Sequence, residues 1–129
     1  MLPIKKEYFK DSEFACKCGC GLNNMDPSFL VRLKYARQLA DIPFKINSGC
    51  RCEKHNHAVK GVSESSHLAS EKLFCYAVDI RVVDSVARFK IIKALFDAGF
   101  TRVGIGLTLI HVDSDSSKIQ NDTWVYQGK

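Results

Sequence analysis

Four side chains of this 129-residue chain have the types and settings that hydrolytic metal chemistry uses: His67, Asp79, His111 and Asp113. His67 closes the polar run Ser63-Glu64-Ser65-Ser66-His67. Asp79 interrupts the apolar stretch Tyr76-Ala77-Val78-Asp79-Ile80-Arg81-Val82-Val83, where a carboxylate needs a partner to tolerate burial. His111 and Asp113 alternate in Leu109-Ile110-His111-Val112-Asp113; on a strand they share one face while Ile110 and Val112 point to a core. A catalytic zinc is commonly held by three protein ligands drawn from His, Asp, Glu and Cys, with a fourth position left for water. The ion brings the pKa of that water from about 15.7 toward about 7, and a nearby carboxylate can take the proton. His67, Asp79 and His111 are therefore the candidate ligands of one zinc ion, with Asp113 beside them. Residue types alone leave a plainer reading open, in which the histidines are structural and Asp79 caps a turn or pairs with an arginine.

The elements that must position these residues follow from the hydrophobic pattern. Asp26 and Pro27 suit the N-cap and first position of a helix, and Phe29, Leu33, Ala36 and Ala40 recur at helical spacing until Pro43. Phe44 and Ile46 alternate with polar neighbours, which predicts a strand over 43–48. Residues 49–75 are rich in Gly, Ser, His and charge and read as a long connection with little regular structure, of a length that is functional or disordered in compact domains. A strand over 76–83 places Val78, Ile80 and Val82 on one face and Ala77, Asp79 and Arg81 on the other. A second helix begins at Asp84 or Ser85, carries Val86, Phe89, Ile91, Ile92, Leu95 and Phe96 on its apolar side, and ends at Gly99. Short strands near 102–106, 109–113 and 123–126 complete the chain. This order predicts an α+β fold, a small and mainly antiparallel sheet packed with helices, in one domain spanning 1–129.

Composition narrows the function classes. Hydrophobic residues make up 46% and charged residues 26%, as in ordinary soluble globular proteins. No run of about 18 apolar residues occurs, so no membrane span is expected. The net charge of +5 is scattered and no nucleic-acid motif accompanies it, so a solvated surface is expected rather than a nucleic-acid partner, with some attraction to anionic polymers. Met1-Leu2-Pro3-Ile4-Lys5-Lys6-Glu7-Tyr8 lacks a basic segment followed by an apolar one, so synthesis in the cytoplasm without a signal peptide is expected. The six cysteines, Cys16, Cys18, Cys20, Cys50, Cys52 and Cys75, are compatible with packed thiols, with disulfides or with a second, structural metal; their C-x-C spacings are not those of a zinc ribbon. His55 and His57 lie near Cys50 and Cys52 and add a possible secondary cluster.

Several motifs occur in a fixed order: Ser48-Gly49-Cys50-Arg51, then His55-Asn56, Val59-Lys60-Gly61-Val62, Ser65-Ser66-His67, Ala77-Val78-Asp79-Ile80 and His111-Val112-Asp113. Together they resemble the M15 family of zinc peptidases, which includes D-Ala-D-Ala carboxypeptidases and phage endolysin endopeptidases, and most of all its short members with a Cys-Lys-Cys-Gly-Cys-Gly-like opening. The resemblance implies a Hedgehog/D-Ala-D-Ala-peptidase-like domain that cuts a peptide bond in bacterial peptidoglycan with zinc-bound water as nucleophile. It implies metal ligation by His67, Asp79 and His111, substrate binding by Ser65, and stabilisation of the developing oxyanion by Arg51, whose guanidinium stays charged and offers a planar fork of donors. It also implies a monomer acting on the cell wall after release, in the manner of a phage lysis enzyme.

The chain departs from the family pattern in three places. Cys50 stands where an aromatic residue is usual. Eleven residues separate His67 from Asp79, roughly five more than usual, with the extra length at Ser70-Glu71-Lys72-Leu73-Phe74. Thr108 occupies the position, three before the last histidine ligand, where many members carry an acidic general base. Asp113 is the expected substitute base or, alternatively, a carboxylate that orients His111; Asp115 and Glu64 are further candidates. The insertion and Thr108 motivate a rival expectation, an inactive zinc- or wall-binding module on the same fold. A cysteine-rich metal or redox protein is a third.

Overall fold

The computed structural model describes residues 7–128; Met1 to Lys6, most of the segment in which no export signal is read, lie outside them. After a 3-10 turn at Asp11–Phe14 the order is α1 (Pro27–Ala40), β1 (Lys45–Ser48), α2 (Glu53–Ala58), β2 (Ala77–Arg81), α3 (Ser85–Asp97), β3 (Arg102–Ile105), β4 (Leu109–Asp113) and β5 (Asp122–Val125). The architecture is α+β, as the element order implies.

The start of α1 follows its sequence signals. The Asp26 carboxylate accepts a hydrogen bond from the Phe29 amide at 2.9 Å, Pro27 opens the helix, and Phe29, Leu33, Ala36 and Ala40 are buried. In α3, Asp84 caps the Ala87 amide at 2.8 Å and the chain turns at Gly99 with φ +96°. The buried face of α3 differs from the sequence expectation. Ile91, Ala94 and Leu95 are inside with Ala87, Ile92 and Ala98 packed beside them, whereas Val86, Phe89 and Phe96 are exposed, Phe89 by 67%. Two apolar stripes overlap on this helix. The one with Ile91, Ala94 and Leu95 is buried, and α3 packs against α1.

The five strands lie in the order β1-β2-β4-β3-β5. The β1–β2, β2–β4 and β3–β4 pairs are antiparallel and β3–β5 is parallel, so the sheet is mixed with an antiparallel majority. One face carries Val78, Ile80, Val103, Ile110 and Val112 into a core shared with Phe29, Leu33, Phe44, Leu95 and Phe100. Because side chains alternate, the other face carries the polar set. The register aligns Ser48 with Asp79, Asp79 with His111, His111 with Gly104 and Gly104 with Trp124, which gives one row across all five strands.

The segment 49–75 has more regular structure than its composition suggests. It contains α2, whose N-terminus is capped by the Cys52 sulfur accepting from the His55 amide at 3.3 Å. Isolated bridges tie Arg51 to Leu68 and Met25 to Cys75. A six-residue helix is too short to express a hydrophobic period, and the bridges join residues distant in sequence. No helix among the described residues is long and apolar enough to cross a membrane.

Candidate metal centre

His67 is held through its backbone and its ring. Its backbone carbonyl accepts from the Arg51 amide at 2.8 Å, and its Nδ1 lies 2.8 Å from the Gly49 carbonyl. A carbonyl only accepts, so Nδ1 carries the proton and the Nε2 lone pair is bare. That lone pair lies 3.1 Å from Asp79 Oδ1. On the neighbouring strand His111 Nε2 donates to Asp113 Oδ2 at 2.7 Å, which leaves the Nδ1 lone pair 2.9 Å from the same Asp79 oxygen. Two lone pairs and a carboxylate oxygen thus converge on one point. An arrangement of three electron-pair donors calls for a cation.

The donor spacing fits one. Zinc–nitrogen and zinc–oxygen bonds of about 2.0–2.2 Å at tetrahedral angles set ligand atoms roughly 3.3–3.4 Å apart. The observed 2.9 and 3.1 Å fall short by a few tenths of an ångström. All three ligand atoms lie within 4.8 Å of one another. Burial pushes the His67 pKa down and keeps the ring neutral, the form that ligates. Burial also works against ionised Asp79 and protonated His111, but their mutual hydrogen bonds and charges prevail: Asp79 is held well below the usual carboxylate range and His111 is raised. A proton on His111 Nδ1 or a metal ion between the three atoms would each offset the Asp79 charge.

Arg51 reaches the centre from the loop after β1. Its Nη2 lies 3.5 Å from Asp79 Oδ2, its Nε donates to Ser48 Oγ at 3.2 Å, and its Nη1 donates to Asn56 Oδ1 at 3.2 Å. Asn56, on α2, donates in turn to the Val62 carbonyl at 2.9 Å. Gly61 passes so close that a Cβ there would overlap Asn56 Oδ1 and come within 2.8 Å of Arg51 Nη1. This explains the glycine of Val59-Lys60-Gly61-Val62 and the structural role of Asn56. Ser65 lines the same pocket, and its Oγ accepts from the His67 amide at 3.2 Å, which leaves its O–H to donate.

Asp113 is the least exposed of the set, at 1%. Its Oδ1 accepts from Arg102 Nε at 2.7 Å and from the Asp115 amide at 3.1 Å, while its Oδ2 accepts from His111. With both oxygens engaged, the carboxylate is placed to orient His111, the alternative to the general-base role. Burial disfavours its charge, yet His111 and Arg102 keep its pKa low. Asp115 accepts from the Ser66 and Ser117 hydroxyls, and Glu64 and Thr108 are exposed outside the pocket.

The pocket around the centre holds about 240 Å³. Lys60 and Lys118 line it with Arg51, and the buried Arg102 lines it beside its partner Asp113. Two further wall residues, Trp124 and Tyr126, were not identified from the sequence. The Trp124 ring lies 5.6 Å from the His111 ring and 4.9 Å beneath the Arg102 guanidinium. It fits because position 104 is glycine; a Cβ there would meet the indole at 2.5 Å. The alternation of Trp124 and Tyr126, one of them the chain's single tryptophan, is the signal that marks this edge strand. The extra residues Ser70–Phe74 do not line the pocket. Asn24 holds them outside through the Ser70 and Leu73 carbonyls at 2.9 and 3.2 Å, and His67 keeps its place. His55 and His57 sit on α2, outside the three-residue centre.

In comparison with protein families, the family described as Peptidase M15 matches residues 7–113, a span that includes Arg51, Ser65, His67, Asp79, His111 and Asp113 but not Trp124 or Tyr126. A search of curated proteins returns no match.

Proposed function

The chain belongs to the peptidase M15 family and is thus a metallopeptidase, and on that premise we propose that it is a zinc enzyme that hydrolyses a peptide bond in the stem or cross-link peptides of bacterial peptidoglycan. The observation that carries the proposal is the convergence of His67 Nε2, Asp79 Oδ1 and His111 Nδ1, each with its orientation fixed by a partner of its own. Zinc bound by these three atoms would supply a Lewis acid and a water acidic enough to act as nucleophile at neutral pH.

The chain's own residues do the rest. Arg51, held by Ser48 and Asn56, presents a fixed positive charge beside Asp79, where a scissile carbonyl would gain negative charge. Ser65 donates its hydroxyl proton to the peptide. Asp113 fixes the His111 tautomer and strengthens it as a ligand, and Arg102 keeps Asp113 ionised. The lysines Lys60 and Lys118 suit stem peptides, which carry free carboxylates, and Trp124 offers a flat apolar wall to the chain. A second and larger cleft, lined by Cys52, Asn56 and Leu68, shares Gly61 with the pocket and gives an extended substrate further surface.

The test is digestion of purified muropeptides with zinc-loaded and chelated protein, followed by mass spectrometry. Zinc-dependent products support the reading, and their masses name the bond. A second reading, a zinc- or wall-binding module without activity, draws on the engagement of both Asp113 oxygens. It is favoured instead if the zinc-loaded protein retains muropeptides without cutting them.

A further inference from the structure

We propose that Cys16, Cys18, Cys20 and Cys52 form a second metal site, a structural zinc tetrathiolate separate from the histidine–aspartate centre. The first three cysteines alternate in Cys16-Lys17-Cys18-Gly19-Cys20-Gly21. In an extended strand their side chains would lie on one face, strung along it at nearly 7 Å intervals. Here the backbone turns at Gly19 and Gly21, with φ +87° and +84°. The turn is closed by Gly19 N–H donating to the Cys16 carbonyl at 3.3 Å and Cys16 N–H donating to the Leu22 carbonyl at 2.8 Å. Left-handed conformations at both positions explain why both are glycine. The folded turn gathers the three sulfurs, and Cys52 joins them from the start of α2, 36 residues after Cys16.

The distances select among the fates of four thiols. Tetrahedral zinc with bonds of about 2.3 Å requires sulfurs roughly 3.8 Å apart. The Cys16–Cys18, Cys16–Cys52 and Cys18–Cys52 separations are 3.4, 3.8 and 3.7 Å, and all four sulfurs lie within 4.8 Å of one another. A disulfide would bring one pair to about 2.0 Å, and all six cysteines are free. Backbone amides already point at the sulfurs: Cys52 N–H donates to Cys16 Sγ at 3.4 Å and His55 N–H to Cys52 Sγ at 3.3 Å. Such donors stabilise thiolate ligands. Soft, tetrahedral S4 sites select zinc or iron over harder cations, and the exposure of Cys18 and Cys20 gives the ion an entry path. Binding converts the thiols to thiolates and releases their protons. Cys50 and Cys75 are a different matter, buried in the core beside each other.

The position of the site gives it a purpose. Cys52 directly follows Arg51, and Cys50 N–H donates to the Phe14 carbonyl at 2.9 Å. An ion here would clamp the segment before α1 to the loop that aims Arg51 at Asp79.

The test counts metals in the full-length chain purified under reducing conditions. About two zinc ions per chain are expected, about one in Asp79→Ala, and about one in the double variant Cys16→Ser/Cys52→Ser. Replacement by Co2+ should give thiolate-to-cobalt charge-transfer absorption in wild type and in Asp79→Ala. That spectrum decides the matter even if the cysteine variant does not fold. No charge-transfer band in wild type, or an intact mass lower by two hydrogens for a disulfide within the cluster, overturns the proposal. So does a single zinc that disappears in Asp79→Ala.

Discussion

Replacing Asp113 by asparagine separates ligand orientation from proton transfer. Asparagine keeps the size and one acceptor oxygen but removes a charge that is buried to 1% exposure between Arg102 and His111. Breaking a buried pair from one side costs about 3–5 kcal/mol; Arg102 retains the Ile119 carbonyl and a longer contact to Asp122, so the lower end, about 3 kcal/mol, is expected. An unfolding entropy of about 2.1 cal/mol/K per residue amounts to about 0.27 kcal/mol/K for this chain, so Tm should fall by about 11 °C. Loss of a carboxylate behind a histidine ligand lowers metal affinity by about 10–100-fold. Turnover at saturating zinc should change by less than about tenfold, whereas removal of a general base costs about 10²–10⁴-fold. The Asp113 pKa is depressed in the folded protein, so its stabilisation is present above the unfolded value of about 3.9 and is lost as pH falls through the folded value. The Tm difference between the two proteins should therefore shrink in acid below about pH 4. Zinc competition against a chromogenic chelator, thermal melts and muropeptide turnover give the three readouts. Unchanged zinc affinity with a hundredfold or greater loss of turnover at saturating zinc would refute the orienting role and make Asp113 the base.

Other perturbations test the remaining parts. Arg51→Lys keeps the charge but loses the fork held by Ser48 and Asn56; kcat is expected to drop about 10²–10³-fold with zinc content unchanged by elemental analysis. Gly104→Ala should displace Trp124 from its place against His111 and raise KM for muropeptides, with a shift in tryptophan fluorescence as the structural control. Leu33→Ala, at a fully buried position of α1, is expected to cost about 2–5 kcal/mol in urea unfolding. Phe89→Ser, on the exposed side of α3, should stay within about 0.5 kcal/mol by the same assay, and a larger loss would mean that face is covered.

Much of the candidate metal centre was legible in the sequence because it depends on local pattern. Alternation along β2 and β4 turns Val78, Ile80, Ile110 and Val112 inward and leaves Asp79, His111 and Asp113 on the opposite face, and this needs only the two-residue period of a strand. The caps and apolar spacing of α1 are likewise local, and so is the stop of α3 at Gly99. Other features were hidden because they depend on partners remote in the chain. Arg102 pairs with Asp113 because β3 lies beside β4, a partner no local pattern names. Trp124 covers His111 because β5 pairs in parallel with β3, over a glycine that alone admits the indole. The buried stripe of α3, Ile91, Ala94 and Leu95, was settled by packing against α1, which leaves Phe89 and Phe96 exposed. Cys52 meets the first three cysteines only after the loop beyond β1 docks on the turn before α1. The period of an element is written in neighbouring residues, whereas strand register and helix facing are set by which surfaces pack together, and that is decided only when the whole core forms.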